Sequence, residues 1–417
     1  MNENQQGANR QKEVVQQLPI PSRKGRDAII NSEYLEDIAE ALDKWGCEQV
    51  VLVHSHALDS STGIIKTLSR NLGSRVVATQ SKVGAHSPYV DVLSIAKLLH
   101  ETKADGLISI GSSSYSDACK IARLMHTNLD SGNYTVDGME SLVDQEAGNA
   151  KGLQDPTIRL IVVPTSLSAS EWNHVSSATN PKTNKKQHFE NEKAMPDLIL
   201  LDPKVASTSP RKLWLSSGIR AVDHCVETMC NSHCTRDASR HMEEALRGLL
   251  RGLKEYKEGE EKGDREEFLK GISECQVGSR AAMMGLLDYK IPMGPSHAIG
   301  HQLGSSCGVM HGVTSCIMLP SVLRYMRDVK GQQERGQKQV LQAFNEVLGW
   351  DENSAADAVA RFVQSLELPG SLSAVGVEDE GCLDKVAELT MTDVWGGSKR
   401  QIETKEEVLE ILHMARM

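Results

Sequence analysis

No window of the sequence approaches the ~20 apolar residues that a membrane-spanning helix needs, so a membrane protein is not expected. Excess positive charge is also missing. The net charge of −10 and the pI near 5.8 argue against nucleic acid or an anionic membrane as a general partner. The number of cysteines, nine, is odd. The first residues, MNENQQGANRQKEVVQQ, contain no apolar run. Reduced thiols and a cytosolic location are therefore expected.

Short β-branched segments alternate with helical segments in the first half of the chain. Runs such as 49-QVVLVHS-55 and 105-DGLISIG-111 have this character, and more strands are predicted at 75–80, 158–164 and 197–203. This alternation predicts a parallel sheet with crossover helices. After Pro210 nearly every segment has helical period, which predicts an all-helical second domain.

A chain of 417 residues exceeds what one hydrophobic core usually serves, so two domains are expected. The predicted division is a disordered, polar tail over 1–28, a dinucleotide-binding α/β domain over 29–205, and a helical domain over 206–417. Residues 126–156 are interpreted as an insertion, 180–190 as a small hairpin, and the charged 254–268 as a solvated helix end and turn.

The segment 110-IGSSSYSDACKIARLM-125 follows a predicted strand and opens a predicted helix. Small residues let backbone N–H groups approach a pyrophosphate, and the positive end of the helix favours the anion. Serine also caps helices of any function, so this segment alone leaves both interpretations open.

Histidines cluster in the second half of the chain. His297 and His301 are four residues apart on a predicted helix, His311 follows a turn, and Gly312 permits a close approach behind it. With His224 from an earlier helix they suggest a metal site or an acid–base cluster. The alternative is that each is a buried core or capping histidine.

These motifs resemble the iron-containing (group III) alcohol dehydrogenase superfamily, which also houses maleylacetate reductases, from residue 30 to the C-terminus. The family pattern His-x-x-x-His-x-x-Gly, then His-Gly and Leu-Pro, is matched by His297, His301, Gly304, His311, Gly312, Leu319 and Pro320. The segment 164-PTSLSASE-171 resembles the family's strand-end motif. The resemblance implies a Rossmann-like α/β domain followed by an all-α domain (dehydroquinate synthase-like), NADH or NADPH as cofactor, and a homodimer.

The candidate cofactor contacts come from the phosphate loop and the strand ends. They are His54, Ser55, Gly111, Ser112, Ser113, Ser114, Asp117, Thr165, Ser166 and Ser170. The stretch 51-VLVHSHA-57 lacks the acidic residue that usually holds the ribose hydroxyls of NAD, so NADPH is allowed.

Three details favour the maleylacetate reductase branch. The 164–171 loop is one residue shorter than in the alcohol dehydrogenases, and 84-GAHSP-88 resembles the reductases' Ala-His-x-Pro turn. In metal-dependent members Gly-x-Asp-Ala-x-x-His supplies two ligands, whereas here Arg220 stands at the Asp position before His224. Asp223 lies about 100° around the helix from His224, which makes it a poor replacement ligand.

The Arg220 substitution has an electrostatic consequence. A guanidinium repels a divalent ion by several kcal/mol at an effective dielectric of about 20, so bound metal is not expected. The same group suits a carboxylate. The alternative is that Arg220 pairs with Asp223 or Glu227 and braces the helix.

The expected activity is a metal-independent, NAD(P)H-dependent reduction of an activated C=C or C=O in an anionic (carboxylated) or aromatic-derived small molecule. The candidate catalytic residues are Arg220, His224, His297, His301 and His311, with His297 or His301 as proton donor near neutral pH. One alternative is a metal-dependent alcohol or aldehyde dehydrogenase with His224, His297 and His311 as ligands. Another is a non-redox biosynthetic enzyme or a binding protein on the same scaffold.

A tryptophan and a group of cysteines each allow two interpretations. Trp172 is a candidate for stacking on an aromatic substrate, although packing is an equal explanation. The spacing in 224-HCVETMCNSHC-234 matches no common zinc pattern, so buried thiols explain these cysteines better.

Overall fold

The computed structural model describes residues 12–393 and 401–416, and the chain divides into two compact units. The first unit contains the described residues up to Thr165 together with Ser170–Ser209. The second contains Ser166–Ala169 and the described residues from Pro210 onward. Within the described part of the chain, no helix combines the length and apolar character needed to cross a membrane.

The first unit is built on a sheet of seven strands. The strands of this unit are β1 (Glu13–Gln16), β2 (Asp27–Ile30), β3 (Val50–His54), β4 (Val76–Gln80), β5 (Gly106–Gly111), β6 (Asn149–Ala150), β7 (Arg159–Pro164), β8 (Val175–Thr179), β9 (Lys186–Glu190) and β10 (Leu198–Leu201). The large sheet has the order β1-β2-β10-β7-β5-β3-β4 and is parallel except for β1. The predicted parallel sheet is confirmed.

Helices cover both faces of this sheet. They are α1 (Tyr34–Trp45), α2 (His56–Ser61), α3 (Ile64–Leu72), α4 (Tyr89–Glu101), α5 (Ser113–Asn128), α6 (Val136–Glu140) and α7 (Pro203–Ala206). Successive strand residues point to opposite faces, so Val51 and Val53 enter one core while Val50 and Leu52 enter the other. Burial on both faces explains why these strands read as continuous apolar runs.

The N-terminal segment differs from the predicted tail. Residues 1–11 lie outside the described part of the chain, but β1 and β2 pair in antiparallel register, with Val15 opposite Ala28. Residues 12–28 are therefore not a disordered tail. Backbone pairing with the sheet edge supplies the order that their polar side chains do not predict.

The predicted insertion and hairpin belong to one small sheet. β8 and β9 form the hairpin, which begins earlier than the predicted 180–190, and β6 from the insertion adds to β9 in the order β6-β9-β8. Phe189 of β9 is buried against Tyr89, which joins this sheet to the main core.

The described part of the second unit is helical, as predicted. Its helices are α8 (Arg211–Cys230), α9 (Arg236–Lys262), α10 (Arg265–Ala282), α11 (Met284–Leu287), α12 (Pro295–Cys307), α13 (His311–Asp328), α14 (Glu334–Leu348), α15 (Ala355–Ser365), α16 (Glu380–Thr390) and α17 (Lys405–Met414). The charged 254–268 segment contains the end of α9, the left-handed Gly263, and the capping Asp264 of α10. This confirms the predicted helix end and turn.

The cysteines depart from the expectation in one place. Cys307 and Cys382 are joined in a disulfide between the end of α12 and α16, so reduced thiols were the wrong expectation for this pair. The other seven are free: Cys47, Cys119, Cys225, Cys230, Cys234, Cys275 and Cys316. Burial raises the pKa of Cys119 to about 12, which makes this thiol unreactive.

Candidate active site

One face of α8 carries four chemically active side chains. Arg220, Asp223, His224 and Glu227 follow each other at helical spacing, and all four are buried. Residues three, four and seven positions apart share a helix face, so the side chains converge although Asp223 and His224 are neighbours in sequence. Asp223 was expected to be a poor replacement ligand, yet its ligand atom lies within 4.8 Å of those of Glu227 and His297, a group that could hold a metal ion.

Arg220 is 2% exposed and is held from two sides. Its Nη1 donates to Ser315 Oγ at 3.0 Å, and Ser315 Oγ in turn donates to Asp223 Oδ2 at 2.6 Å. Nη1 lies 3.9 Å from Asp223 Oδ2, and Nη2 lies 3.4 Å from His301 Nε2. The guanidinium is thus partly braced by Asp223, as the alternative interpretation proposed, while it also faces the histidine cluster.

His297 is fixed by a buried carboxylate. Its Nδ1 lies 2.7 Å from Glu227 Oε2, and its ring stacks on His224 with the centroids 4.8 Å apart. Glu227 also accepts the backbone N–H groups of Gly294 and Ser296, each at 2.7 Å. The sequence analysis considered Glu227 only as a possible partner of Arg220, although its position seven residues after Arg220 places it on the same helix face.

His301 and His311 form a second pair, with ring centroids 5.7 Å apart. His301 Nδ1 lies 3.2 Å from Asp393 Oδ2, which also accepts a hydrogen bond from Gln302 Nε2 at 2.7 Å. Asp393 was not predicted, since nothing in its local sequence links it to a helix nearly a hundred residues earlier. The structure therefore brings together all five predicted catalytic residues and adds Asp223, Glu227 and Asp393.

Burial changes the protonation of the inner side chains. It lowers the pKa of His224 to about 3, and Arg220 adds to the effect. Burial, followed by Arg220 and His224, lowers the pKa of His297 well below its usual range. The expectation that His297 titrates near neutral pH is therefore wrong, and the ring is neutral at pH 7. Burial raises the pKa of Asp223 to about 6 and, with Asp223, raises that of Glu227 well above the usual value.

Gly312 has the role that the sequence predicted. A Cβ atom at this position would lie 2.6 Å from the backbone carbonyl carbon of Ser216 and 2.7 Å from its oxygen. The absent side chain therefore lets α13, which begins at His311, approach the helix that carries Arg220.

Gly312→Ala is expected to lower the free energy of unfolding by about 1–3 kcal/mol, because one helix backbone must move away from the other. The matched control is Gly248→Ala in α9, where a Cβ atom meets nothing within 4 Å. That variant should gain about 0.5–1 kcal/mol from the better helix propensity of alanine. Urea unfolding followed by circular dichroism measures both, and equal stability of the two variants contradicts the close-approach role.

The predicted cofactor residues of the first unit gather at one edge of the large sheet. Because parallel strands place their carboxyl ends together, His54 at the end of β3 pairs with Ile110, one residue before the end of β5 at Gly111. Ser55 N donates to Ile110 O at 3.0 Å, and Thr165 N donates to Gly111 O at 2.9 Å. This is the edge where open α/β sheets bind their ligands.

The start of α5 has no side-chain cap. Ser112 occupies the N-cap position, yet its hydroxyl accepts no hydrogen bond from the helix. Ser170 Oγ donates to Ser113 O at 3.1 Å, and Ser87 Oγ donates to Ser114 O at 2.9 Å. The first-turn N–H groups of a helix have no intrahelical partners, so this end is suited to an anion.

The remaining predicted cofactor residues have different surroundings. Asp117 forms an ion pair with the buried Lys120 at 3.0 Å and accepts Ser177 N at 3.3 Å, so its carboxylate is engaged within the first unit. Ser166 is buried and belongs to the segment that groups with the second unit. Their predicted contact with the cofactor stays a prediction.

Two other interpretations can be compared with the structure. Trp172 is 0% exposed, so packing accounts for it and stacking on an aromatic substrate does not. Cys225 and Cys230 are buried on α8, while Cys234 is half-buried beyond its end. Their surroundings agree with the interpretation as inert thiols, since burial raises the pKa of both buried groups.

Family profiles cover nearly the whole chain. The profile "Iron-containing alcohol dehydrogenase" matches residues 26–203, and "Fe-containing alcohol dehydrogenase family, C-terminal" matches residues 214–416. The chain belongs to the iron-containing alcohol dehydrogenase family. It is an oxidoreductase of that family, in which the relatives are named dehydrogenases or reductases.

Individual members of the iron-containing alcohol dehydrogenase family are similar over most of their length. Dehydrogenase ALT3 of Alternaria alternata is 31% identical over 402 residues, which cover 89% of this chain and 100% of the relative. The maleylacetate reductase structure from Agrobacterium tumefaciens has a TM-score of 0.68 at 20% identity, covering 93% of this chain and 95% of its own. Sulfoacetaldehyde reductase from Bifidobacterium kashiwanohense, in complex with NAD+, has a TM-score of 0.75 at 17% identity, covering 92% and 95%. These two structures share the fold.

Proposed function

We propose that this family member is a metal-independent, NAD(P)H-dependent reductase in which Arg220 binds a negatively charged oxygen of a small carbonyl compound. The observation that carries the proposal is a buried guanidinium at the family's acidic ligand position, in contact distance of His301 and linked to Asp223 through Ser315. A fixed cation in a site sheltered from water stabilises negative charge without any reorganisation.

The donor set supports a site without metal. The described residues hold one group of three possible ligands, Asp223, Glu227 and His297, whose ligand atoms lie within 4.8 Å of one another. Hydrogen bonds already engage part of this set: Glu227 takes two backbone N–H groups, and Asp223 Oδ2 takes the hydroxyls of Ser296 and Ser315, while Asp223 Oδ1 is buried without a hydrogen-bond partner among the described residues. Arg220 adds a positive charge beside them, which repels a divalent ion. The residues present therefore fit a divalent ion poorly.

The proposed reaction reduces a carbonyl group to a hydroxyl group. Hydride leaves the reduced nicotinamide ring and forms a C–H bond on the carbonyl carbon, while the C=O π pair moves to the oxygen. Arg220 stabilises the negative charge that forms on this oxygen, and the oxygen becomes a hydroxyl group by taking one proton, for which His297 or His301 is the candidate donor. The cofactor is released in its oxidised form. A carboxylate elsewhere on the substrate offers the same anionic oxygen chemistry, and substrates with an anionic group appear in the names of the two structural neighbours described above.

The cofactor is proposed to place its pyrophosphate at the uncapped start of α5. His54 and Ser55 end β3 without a carboxylate that would repel a 2′-phosphate, so either NADH or NADPH is compatible with this edge. Both reduced cofactors therefore belong in every assay.

The test compares 4-oxobutanoate with butanal, two aldehydes that differ by a carboxylate. Arg220→Met keeps an unbranched side chain, although a shorter one, and removes its charge. It is expected to lower kcat/KM for 4-oxobutanoate by about 100-fold, because a buried charged contact is lost. Arg220→Lys keeps the charge but not the planar fork, so its loss should be smaller. Treatment with EDTA should leave the wild-type rate unchanged.

The outcomes of this test distinguish the possible roles of Arg220. An equal loss for both aldehydes assigns Arg220 to the reacting oxygen, whereas a loss confined to 4-oxobutanoate assigns it to the carboxylate. Unchanged activity of Arg220→Met on both compounds contradicts the proposal. Activity that EDTA abolishes and Zn²⁺ or Fe²⁺ restores supports the metal-dependent alternative, and failure to bind either cofactor supports the non-redox one.

A further inference from the structure

Glu227 was considered from the sequence only as a partner of Arg220, yet it makes a close contact with a candidate catalytic histidine, His297. Its side chain is buried on α8, with Oε2 at 2.7 Å from His297 Nδ1. The backbone N–H groups of Gly294 and Ser296, at the start of the helix that carries His297, hold both carboxylate oxygens. The carboxylate is therefore fixed before it contacts the imidazole.

The imidazole is constrained in two directions. The hydrogen bond to Glu227 sets the rotation of the ring about its side-chain bond, and His224 stacks on the ring face at 4.8 Å with 27° between the planes. The other ring nitrogen, Nε2, is buried and has no hydrogen-bond partner among the described residues. The hydrogen bond made by one nitrogen of a histidine decides how the other is presented.

We infer that Glu227 is a positioning residue: it holds His297 by Nδ1 so that Nε2 is the nitrogen presented to the substrate oxygen. This inference rests on the proposed reductase function and adds a residue to its machinery. It requires the contact between the two side chains, whichever of them carries the shared proton. Glu227 itself touches neither substrate nor cofactor in this role.

Two substitutions separate positioning from simple packing. Glu227→Leu has similar volume and no polar atom, so it removes the 2.7 Å contact and leaves Nδ1 with the longer contact of 3.4 Å to Asp223 Oδ2. Glu227→Gln keeps one oxygen and one NH₂ group, either of which can pair with Nδ1. Each variant leaves at least one of the Gly294 and Ser296 N–H groups unpaired, so both lose stability, but only Glu227→Leu should release the ring.

The kinetic test is a double-mutant cycle with His297→Ala, using the aldehyde that the wild type reduces faster. Glu227→Leu is expected to lower kcat by about 10- to 100-fold with little change in KM, and Glu227→Gln should retain most of the rate. In the His297→Ala background, Glu227→Leu should change kcat by less than about twofold, because its effect acts through the missing ring. An equal loss in both backgrounds overturns the inference and makes Glu227 a fold-stabilising residue.

A second readout does not depend on turnover. In ¹⁵N-histidine NMR spectra, the His297 ring signals are identified by their absence in His297→Ala. They should report one fixed hydrogen-bonded ring in the wild type and in Glu227→Gln, and shift in Glu227→Leu. Unshifted signals in Glu227→Leu overturn the inference, even if the protein proves to be a reductase. Shifted signals support it even if neither aldehyde is reduced, so the two proposals fail separately.

Discussion

Arg220→Asp is expected to bind Co²⁺ at least about 100-fold more tightly than the wild-type protein, because the change removes a repelling cation and adds an acidic ligand. The family pattern places an Asp at this position, four residues before the histidine that is His224 here. The side chains of Arg220 and His224 are both buried. The new carboxylate would also lie near Asp223, so the metal-free variant is destabilised by like charges. Binding of a divalent ion should relieve that repulsion and raise the melting temperature.

The measurement is a Co²⁺ titration followed by visible absorption, with the bound metal counted by elemental analysis. Arg220→Asn is the matched control, since it shortens the side chain and removes the guanidinium without adding a negative charge. It should bind Co²⁺ more weakly than Arg220→Asp. Stoichiometric binding by the wild type, no weaker than by the variant, contradicts metal independence and indicates that the histidines suffice as ligands.

The sequence predicted the central sheet because its inner strands are buried on both faces. β3 has four aliphatic residues out of five and β5 has three out of six, and both strands are buried along their whole length, which leaves little choice of structure. β2 was missed because it begins inside the segment predicted as a polar tail. β1 was missed because it gains its order from backbone pairing rather than from its side chains. The parallel strand β6 was missed because it has two residues.

The candidate site shows the same division between local and distant signals. Arg220 and His224 were recognised because they are four residues apart, a helical spacing that the sequence shows directly. The hydrogen bond that fixes Arg220 comes from Ser315, 95 residues later in the sequence, and His301 is held by Asp393, 92 residues after it. Periodicity carries no information on such distant pairings, so the bracing of Arg220 by Asp223 through Ser315 needed the structure.

The distant contacts also explain the corrected properties of His297. An isolated imidazole titrates near neutral pH, and that value was the only one that the sequence could supply. Burial among Arg220 and three other histidines lowers the pKa of His297 well below that value. A proton transfer at this residue must therefore involve a neutral ring. The partner at Nδ1 then decides how the other ring nitrogen, Nε2, is presented.

Lys120→Met is expected to weaken NADPH binding and to destabilise the first unit by about 3–5 kcal/mol, because it removes one partner of a buried ion pair. The Lys120 side chain is 0% exposed, and its Nζ lies 3.0 Å from Asp117 Oδ1. Nζ also donates to Ser170 O at 2.6 Å and to the carbonyl oxygen of Asn173 at 3.1 Å. These bonds hold the turn at Ser170 against the uncapped start of α5.

The loss should exceed a general effect of removing a lysine. Lys97→Met in α4 is the matched control, since that side chain is 63% exposed and pairs with the exposed Glu101. An exposed pair of this kind contributes about 0.3–0.5 kcal/mol, so the control should keep the wild-type melting temperature and cofactor affinity. Calorimetric titration with NADPH and thermal unfolding measure both effects. If Lys120→Met binds NADPH as tightly as Lys97→Met does, the turn at Ser170 does not shape the phosphate site, and the proposed position of the pyrophosphate at α5 loses its support.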